Sequence, residues 1–189
     1  MGKREPADYE ERLRLLFDAK RRGDIPYLIE ALRRERDVST LPAKWLADEG
    51  VTEAIPALME LLEVADFHAR WAAVAALEKL GPPEEAKARL IEMAAKDPDR
   101  YVRGRASATL GYYDNGEELT QLLLSLLADP DWQVSQGAAI GLGRRGDVVA
   151  LRPLKGRLGQ LRRSPWQWYL HRRAFKEAIA ALEALESRG

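Results

Sequence analysis

The chain has no cysteine among its 189 residues. Disulfides and thiolate metal sites are thereby excluded, and the composition fits a reducing compartment. Histidine is nearly as scarce, with only His68 and His171, far apart along the chain. A zinc site would have to gather carboxylates from several distant segments, so no metal or other cofactor is expected. Charge of one sign is not in excess: 30 basic residues face 30 acidic ones. The chain as a whole is therefore neither a strongly basic polynucleotide binder nor an acidic tail protein. No apolar run approaches the roughly 18 residues needed to cross a bilayer, so no membrane partner is expected. The opening segment MGKREPADYEERLRLLF is charged and lacks the apolar stretch of a secretory signal, so a cytoplasmic location is expected. No G-x-S-x-G elbow occurs. Ser107 and Ser135 fall in segments read below as helices, where a hydroxyl ordinarily bonds the backbone or water.

What is present is a repeat. Residues 97–111 read DPDRYVRGRASATLG and residues 129–143 read DPDWQVSQGAAIGLG, an offset of 32 from Asp97 to Asp129. Val102 falls on Val134, Ala106 on Ala138, and Leu110-Gly111 on Leu142-Gly143. Stepping back 33 positions from the first copy reaches Asp66, Ala69, Arg70, Ala73 and Leu77. A weaker copy lies upstream, with Val38, Leu46 and Gly50, and a divergent last copy holds Leu170, Ala174 and Ala178.

The spacing inside each copy is helical. Val102, Ala106, Thr109 and Leu110 stand at i, i+4, i+7 and i+8, one apolar stripe of a helix. Asp-Pro-Asp ahead of the stripe stops one helix and starts the next, because proline cannot continue a helix and the second aspartate can cap one. A second amphipathic stretch precedes each such helix: Ile55, Leu58, Leu61 and Leu62; Leu119, Leu122, Leu123, Leu126 and Leu127; Leu151, Leu154 and Leu158. Pro26, Pro56 and Pro153 fall near the starts of these helices, where a missing N–H costs little. Gly50, Gly81 and Gly146 stand where the second helices end, as C-terminal glycines do. Each unit is thus helix A, a turn, helix B and a loop. The expected core includes Leu58, Leu62, Val102, Leu110, Leu123, Leu127, Val134 and Leu142. The fold class read from this pattern is all-α, with no strand. A helix pair of this kind cannot bury both stripes alone, so neighbouring pairs must stack.

Period, helix pairing, the early proline of helix A and the D-x-x-V-R start of helix B resemble HEAT repeats of the short bacterial and archaeal type. The resemblance implies a right-handed α-α superhelix, armadillo-like, of about five helix pairs. Its expected divisions are a capping helix over 1–23 and an array over 24–189, cut at 24–50, 51–81, 82–113, 114–146 and 147–189. It also implies a ladder in which an aspartate of the inter-helix turn bonds an arginine six residues on. Asp97 and Arg103 match that pair; Val64 stands where the partner of Arg70 should be, and Ser135 where that of Asp129 should be. HEAT-like hydroxylases of the deoxyhypusine type carry His-Glu pairs for iron, and no His-Glu dipeptide is present here.

Three features invite a functional reading. Gly141-Leu142-Gly143-Arg144-Arg145-Gly146 matches G-x-G-x-x-G, but no strand precedes it and no acid follows in the region of Trp166, so these glycines are read as places where helices approach closely. The face of each helix B opposite the core forms an outward strip: His68, Trp71, Ala75 and Glu78; Tyr101, Gly104 and Ala108; Gln133, Gln136 and Ile140; Tyr169, Arg172 and Lys176. Charge is the third feature. Arg144, Arg145, Arg152, Lys155, Arg157, Arg162, Arg163, Arg172, Arg173 and Lys176 face a single acid, Asp147, between positions 144 and 176. Ser164-Pro165-Trp166-Gln167-Trp168-Tyr169 places three aromatics among those arginines.

The function read from these features is a non-enzymatic interaction scaffold, with no catalytic residue. It would bind a partner protein, one with an acidic surface above all, through the concave face or the basic C-terminal repeat. The residues that would carry it are Trp71, Tyr101, Gln136, Trp168, Tyr169, Arg172, Arg173 and Lys176, since exposed aromatics and arginine concentrate at interaction hot spots. The alternative is nucleic-acid binding by the same basic aromatic segment. HEAT-like alkylation-repair glycosylases are a precedent, but in this sequence the cations gather in the last repeat and a half instead of running along every helix B. Phycobilin lyase-type HEAT proteins, which handle a chromophore, are a further resemblance that no motif here marks.

Overall fold

A computed structural model describes residues 6–34, 38–114, 116–160 and 168–188. Among them every regular element is helical and no strand occurs. Contacts divide the chain into two compact units, Met1–Gly81 and Pro82–Gly189.

The first unit holds α1 (Pro6–Arg22), α2 (Ile25–Arg34), α3 (Thr40–Asp48), α4 (Ile55–Leu61) and α5 (Phe67–Leu80). Here α2 pairs with α3 and α4 with α5, α2 lies on α4 and α3 on α5, and α1 packs on α2. The two A helices and the two B helices thus make separate layers. The apolar stripes meet between them, where Leu28, Leu32, Leu46, Leu58, Leu62 and Leu77 are fully buried. Gly50 ends the α3 segment at φ +71°, a backbone conformation that costs glycine nothing and other residues strain.

The second unit holds α6 (Lys87–Lys96), α7 (Arg100–Thr109), α8 (Gly116–Leu127), α9 (Trp132–Arg145), α10 (Leu151–Gln160) and α11 (Trp168–Glu186). Its pairs are α6 with α7, α8 with α9 and α10 with α11, and α9 lies between α7 and α11. Val102, Leu110, Leu123, Leu127, Val134 and Leu142 are buried in this unit, on the face that their helical spacing predicts.

The Asp-Pro-Asp turns work differently in their two copies. Asp99 caps α7 by accepting from the backbone N–H groups of Tyr101 (2.8 Å) and Val102 (3.2 Å). Asp131, its counterpart before α9, makes no such cap. Its carboxylate accepts instead from Arg103 Nη2 at 2.5 Å. In both copies the first aspartate folds the turn: Asp97 Oδ1 accepts from Asp99 N–H (2.9 Å), and Asp129 Oδ1 from Asp131 N–H (2.7 Å).

This corrects the expected ladder. Arg103 donates to the carbonyl oxygen of Asp97 (3.0 Å), and its ion pair is with Asp131 of the next repeat. Arg70 likewise donates to the carbonyls of Val64 (3.0 Å) and Ala65 (2.7 Å). An arginine in the second turn of helix B folds back over the preceding turn, where carbonyls lie within reach whatever side chain precedes them. Val64 in place of aspartate therefore costs Arg70 nothing at those two bonds.

The outward strip is also corrected in part. Gly104, Ala108 and Gln133 are buried, and not outward. A Cβ added at Gly104 would lie 2.4 Å from the Gln133 carbonyl oxygen, and one at Gly137 1.9 Å from that of Gly104. One at Gly141 would meet the Ser107 oxygen at 2.6 Å. The backbones of α7 and α9 thus touch along a line of glycine, and a seam between B helices occupies what the strip assigned to solvent. Of the glycines of G-x-G-x-x-G, Gly141 belongs to this seam, Gly143 meets Ala178 of α11, and Gly146 ends α9 at φ +76°.

Candidate interaction surface

On the first unit, Trp71 projects from α5 with 38% of its surface exposed, and His68 is exposed with its ring 3.8 Å from that of Phe67. The remaining candidates lie on the second unit. Tyr101 stands in the first turn of α7, 45% exposed, with the Arg100 guanidinium 5.4 Å from its ring centre. Gln136 is half-buried on α9. On α11, Arg172 is half-buried, while Arg173 and Lys176 are exposed. Trp168 and Tyr169 begin α11, but their side chains lie outside the described residues, as do Arg162, Arg163 and Trp166 altogether.

The basic segment is more structural than its composition suggests. Arg145 is the clearest case: its Nε pairs with Asp147 at 2.7 Å, and its two Nη atoms reach the carbonyls of Tyr113 and Gly116 and the hydroxyl of Thr120. Arg157 donates to the carbonyl of Asp129 (3.0 Å) and to Gln160 (3.2 Å). Lys155 pairs with Glu183 (2.7 Å), and Arg173 with Glu177 one helical turn on (2.7 Å). The Glu183 carboxylate raises the pKa of Lys155 and holds its charge. Much of the positive charge counted in the sequence thus holds helix ends and turns together.

Arg144 differs. Its Nη1 donates to the Ala108 carbonyl (2.9 Å), and its guanidinium carbon sits 4.7 Å above the ring of Tyr112. Both residues are exposed, Tyr112 by 53%. Sequence reading missed Tyr112. It stands eleven residues after Tyr101, in a short 3-10 turn, Leu110–Tyr112, that continues from the end of α7. Two exposed tyrosines, each beside a guanidinium, therefore stand at the two ends of the α7 segment.

Beside Arg144 the surface dips. Ile140, Gly143 and Arg144 of α9 and Ala174, Glu177, Ala178 and Ala181 of α11 line a groove of about 370 Å³. It exists because Gly143 seats directly against Ala178: an added Cβ would come within 2.9 Å of the Ala178 Cα. With the two backbones so close and three alanines along α11, little side-chain volume fills the space alongside.

Comparison with known proteins places this architecture. The family model for HEAT repeats matches twice, over residues 25–111 and 88–164, more than half of the chain. The chain belongs to the HEAT-repeat family. Its fold class is accordingly the α-α solenoid of HEAT helix pairs. Curated proteins give no match. Among solved structures, this HEAT-repeat chain is similar to the complex of CpcE and CpcF of phycocyanin lyase from Nostoc sp. PCC7120. The TM-score is 0.58 at 21% sequence identity, over 82% of this chain and 98% of that one.

That likeness overturns one expectation, that the chain is not an enzyme: an array of this kind occurs in a lyase. The expectation rested on missing local motifs. In a helical array, reacting groups are gathered from several helices, which leaves no contiguous signature to read. No helix among the described residues is long and apolar enough to cross a membrane.

Proposed function

We propose that this HEAT-repeat chain binds a protein partner through the exposed face of α7, α9 and α11 on its second unit. Tyr101, Tyr112, Gln136, Arg144, Arg173 and Lys176 are the contact residues of this reading, and an acidic partner surface is the best fit. The observation that carries it is the pair of exposed tyrosines, each held under a guanidinium, at 5.4 and 4.7 Å. Rings that the fold neither buries nor leaves loose are pre-positioned, and Tyr and Arg dominate measured hot spots. The structural likeness to a complex of two proteins supports the same reading.

Protein is favoured over nucleic acid because the cations are already engaged. Arg145, Lys155, Arg157 and Arg173 each bond a carbonyl, carboxylate or amide of this chain. These described cations are thus committed to the fold, whereas exposed Tyr101 and Tyr112 offer the aromatic contacts that protein hot spots use. Short DNA is expected to bind weakly, without sequence preference, and to leave as salt rises.

The test is capture of partners from the native host with wild-type chain and with Arg173→Glu/Lys176→Glu, two exposed positions. A partner retained by the wild type and lost by the variant, with an unchanged melting temperature, supports the surface. Equal retention by both moves the interface elsewhere, the outer face of the A helices being next in line.

A second reading follows from the likeness alone: the chain, with its partner, acts as a lyase of the phycocyanin lyase kind. Mixing the captured pair with phycocyanin and following its absorption spectrum tests this. An unchanged spectrum over hours counts against it.

A further inference from the structure

The A helices of the second unit leave a groove between them. Leu124, Leu127 and Ala128 line it from α8, and Pro153, Gly156, Arg157 and Gln160 from α10, each set spaced as one helical stripe. From Pro153 to Gln160 the helix rises about 10 Å, at about 1.5 Å per residue. The groove holds about 370 Å³. Gly156 is exposed in the interior of α10, and an added Cβ there meets nothing within 4 Å. Glycine inside a helix loses stability against alanine. Close packing within the chain offsets that loss at Gly137 and Gly143, but no atom of the chain does so at Gly156. Bare backbone at a groove permits close approach by another molecule.

Charge around this groove is of one sign. No carboxylate lines it. Arg152, one turn before Gly156 on the same strip of α10, is exposed and bonds no described residue. Arg157 is held by neutral oxygens only, the Asp129 carbonyl at 3.0 Å and Gln160 at 3.2 Å, and its buried Nε–H finds no acceptor. The Asp129 carboxylate accepts from the Asp131 N–H (2.7 Å), and Lys155 is matched by Glu183 (2.7 Å).

We infer that this groove is the docking slot for a helix of a partner protein, one that carries two aliphatic side chains a turn apart with carboxylates bordering them. It is a second surface, on the A-helix layer, and does not rest on the face of α7, α9 and α11 proposed above. The length of the groove matches two turns of a helix, so leucine or isoleucine at i and i+4 enters against Leu124, Leu127 and Pro153. Its volume lies at the small end of binding cavities and suits two such side chains. Gly156 lets the incoming backbone settle close over α10. The bordering carboxylates meet Arg152, which no described residue engages, and Arg157, which exchanges the neutral Gln160 oxygen for a charged one. A bond of the charged kind is about twice as strong. A phosphate backbone would meet the same cations but leave the hydrocarbon floor uncovered.

The experiment uses the full chain and a fluorescein-labelled helical peptide with leucine at i and i+4 and glutamate at the positions bordering them. Fluorescence anisotropy is read for the wild type, for Gly156→Trp, which fills the groove from an exposed position, for Arg152→Glu, and for Arg173→Glu/Lys176→Glu on the other layer. The expected result is saturable binding that weakens with salt. It should fall at least about tenfold in Gly156→Trp and about threefold in Arg152→Glu, and stay unchanged in Arg173→Glu/Lys176→Glu, with circular dichroism alike for all. Replacing the peptide leucines by glutamine should remove the binding with no change to the protein. No binding to the wild type, or full binding to Gly156→Trp, overturns the slot. Equal binding of the glutamine peptide or of short DNA overturns it too, leaving a plain cationic patch. A dimer in light scattering that Gly156→Trp dissociates gives the groove to a second copy of this chain and overturns the partner helix. The reading proposed above stands or falls by the host capture, so either can fail without the other.

Discussion

Gly137 rests against the carbonyl oxygen of Gly104, and a Cβ in place of its hydrogen would lie 1.9 Å from that oxygen. Two helix backbones meet there with no side chain between them. Glycine inside a helix ordinarily costs up to about 1 kcal/mol against alanine, so its presence in α9 is a sacrifice of local stability for close packing.

Gly137→Ala should therefore destabilise the chain, by about 3 kcal/mol, the upper end for overpacking, because the obstructing atoms are backbone and cannot rotate away. Gly156→Ala in α10 is the control. Nothing lies within 4 Å of its added Cβ, and it should stabilise by up to about 1 kcal/mol. Chemical denaturation of both variants checks the sign of each.

Leu123 is fully buried and touches the Gly141 site from α8. Leu123→Ala should cost roughly 2–5 kcal/mol through lost burial and the cavity left behind. A loss below about 1 kcal/mol in the same assay would show the apolar stripe of α8 to be less tightly packed than its burial states.

Arg145 should act as a lock. Its side chain is 6% exposed and that of its partner Asp147 16% exposed. Arg145→Met leaves the Asp147 carboxylate and two carbonyls short of a donor and should cost about 3 kcal/mol. Adding Asp147→Asn should recover part of that loss, since it removes the uncompensated charge. A double-mutant cycle showing simple additivity would deny the coupling.

Asp48 predicts an acid sensitivity of the first unit. Hydrogen bonds from Lys44 and Lys79 lower its carboxyl from the ordinary 3.8 to about 2. A lowered folded-state value means stability that is fully present above 3.8 and is lost as pH falls through about 2. Asp48→Asn should flatten the pH dependence of the melting temperature in that window. The exposed setting, open to screening, makes the effect salt-sensitive as well.

The sequence determined the repeat by itself. Burial of one stripe per helix imposes a 3.6-residue period, and stacking imposes a longer one, so Val102 and Val134, or Leu110 and Leu142, announce their layer with no partner in view. Helix ends were equally legible, because Asp99 and Gly50 act on backbone only a few residues away. The tertiary structure alone decided what lies between helices. Whether Asp131 caps α9 or receives Arg103, whether Gln133 faces water or a neighbouring backbone, and whether Arg145 is a free cation or a lock all depend on atoms some 25 to 32 residues distant. The groove beside Gly143 depends on Ala178 in the same way, since a void between two helices belongs to neither helix's own pattern.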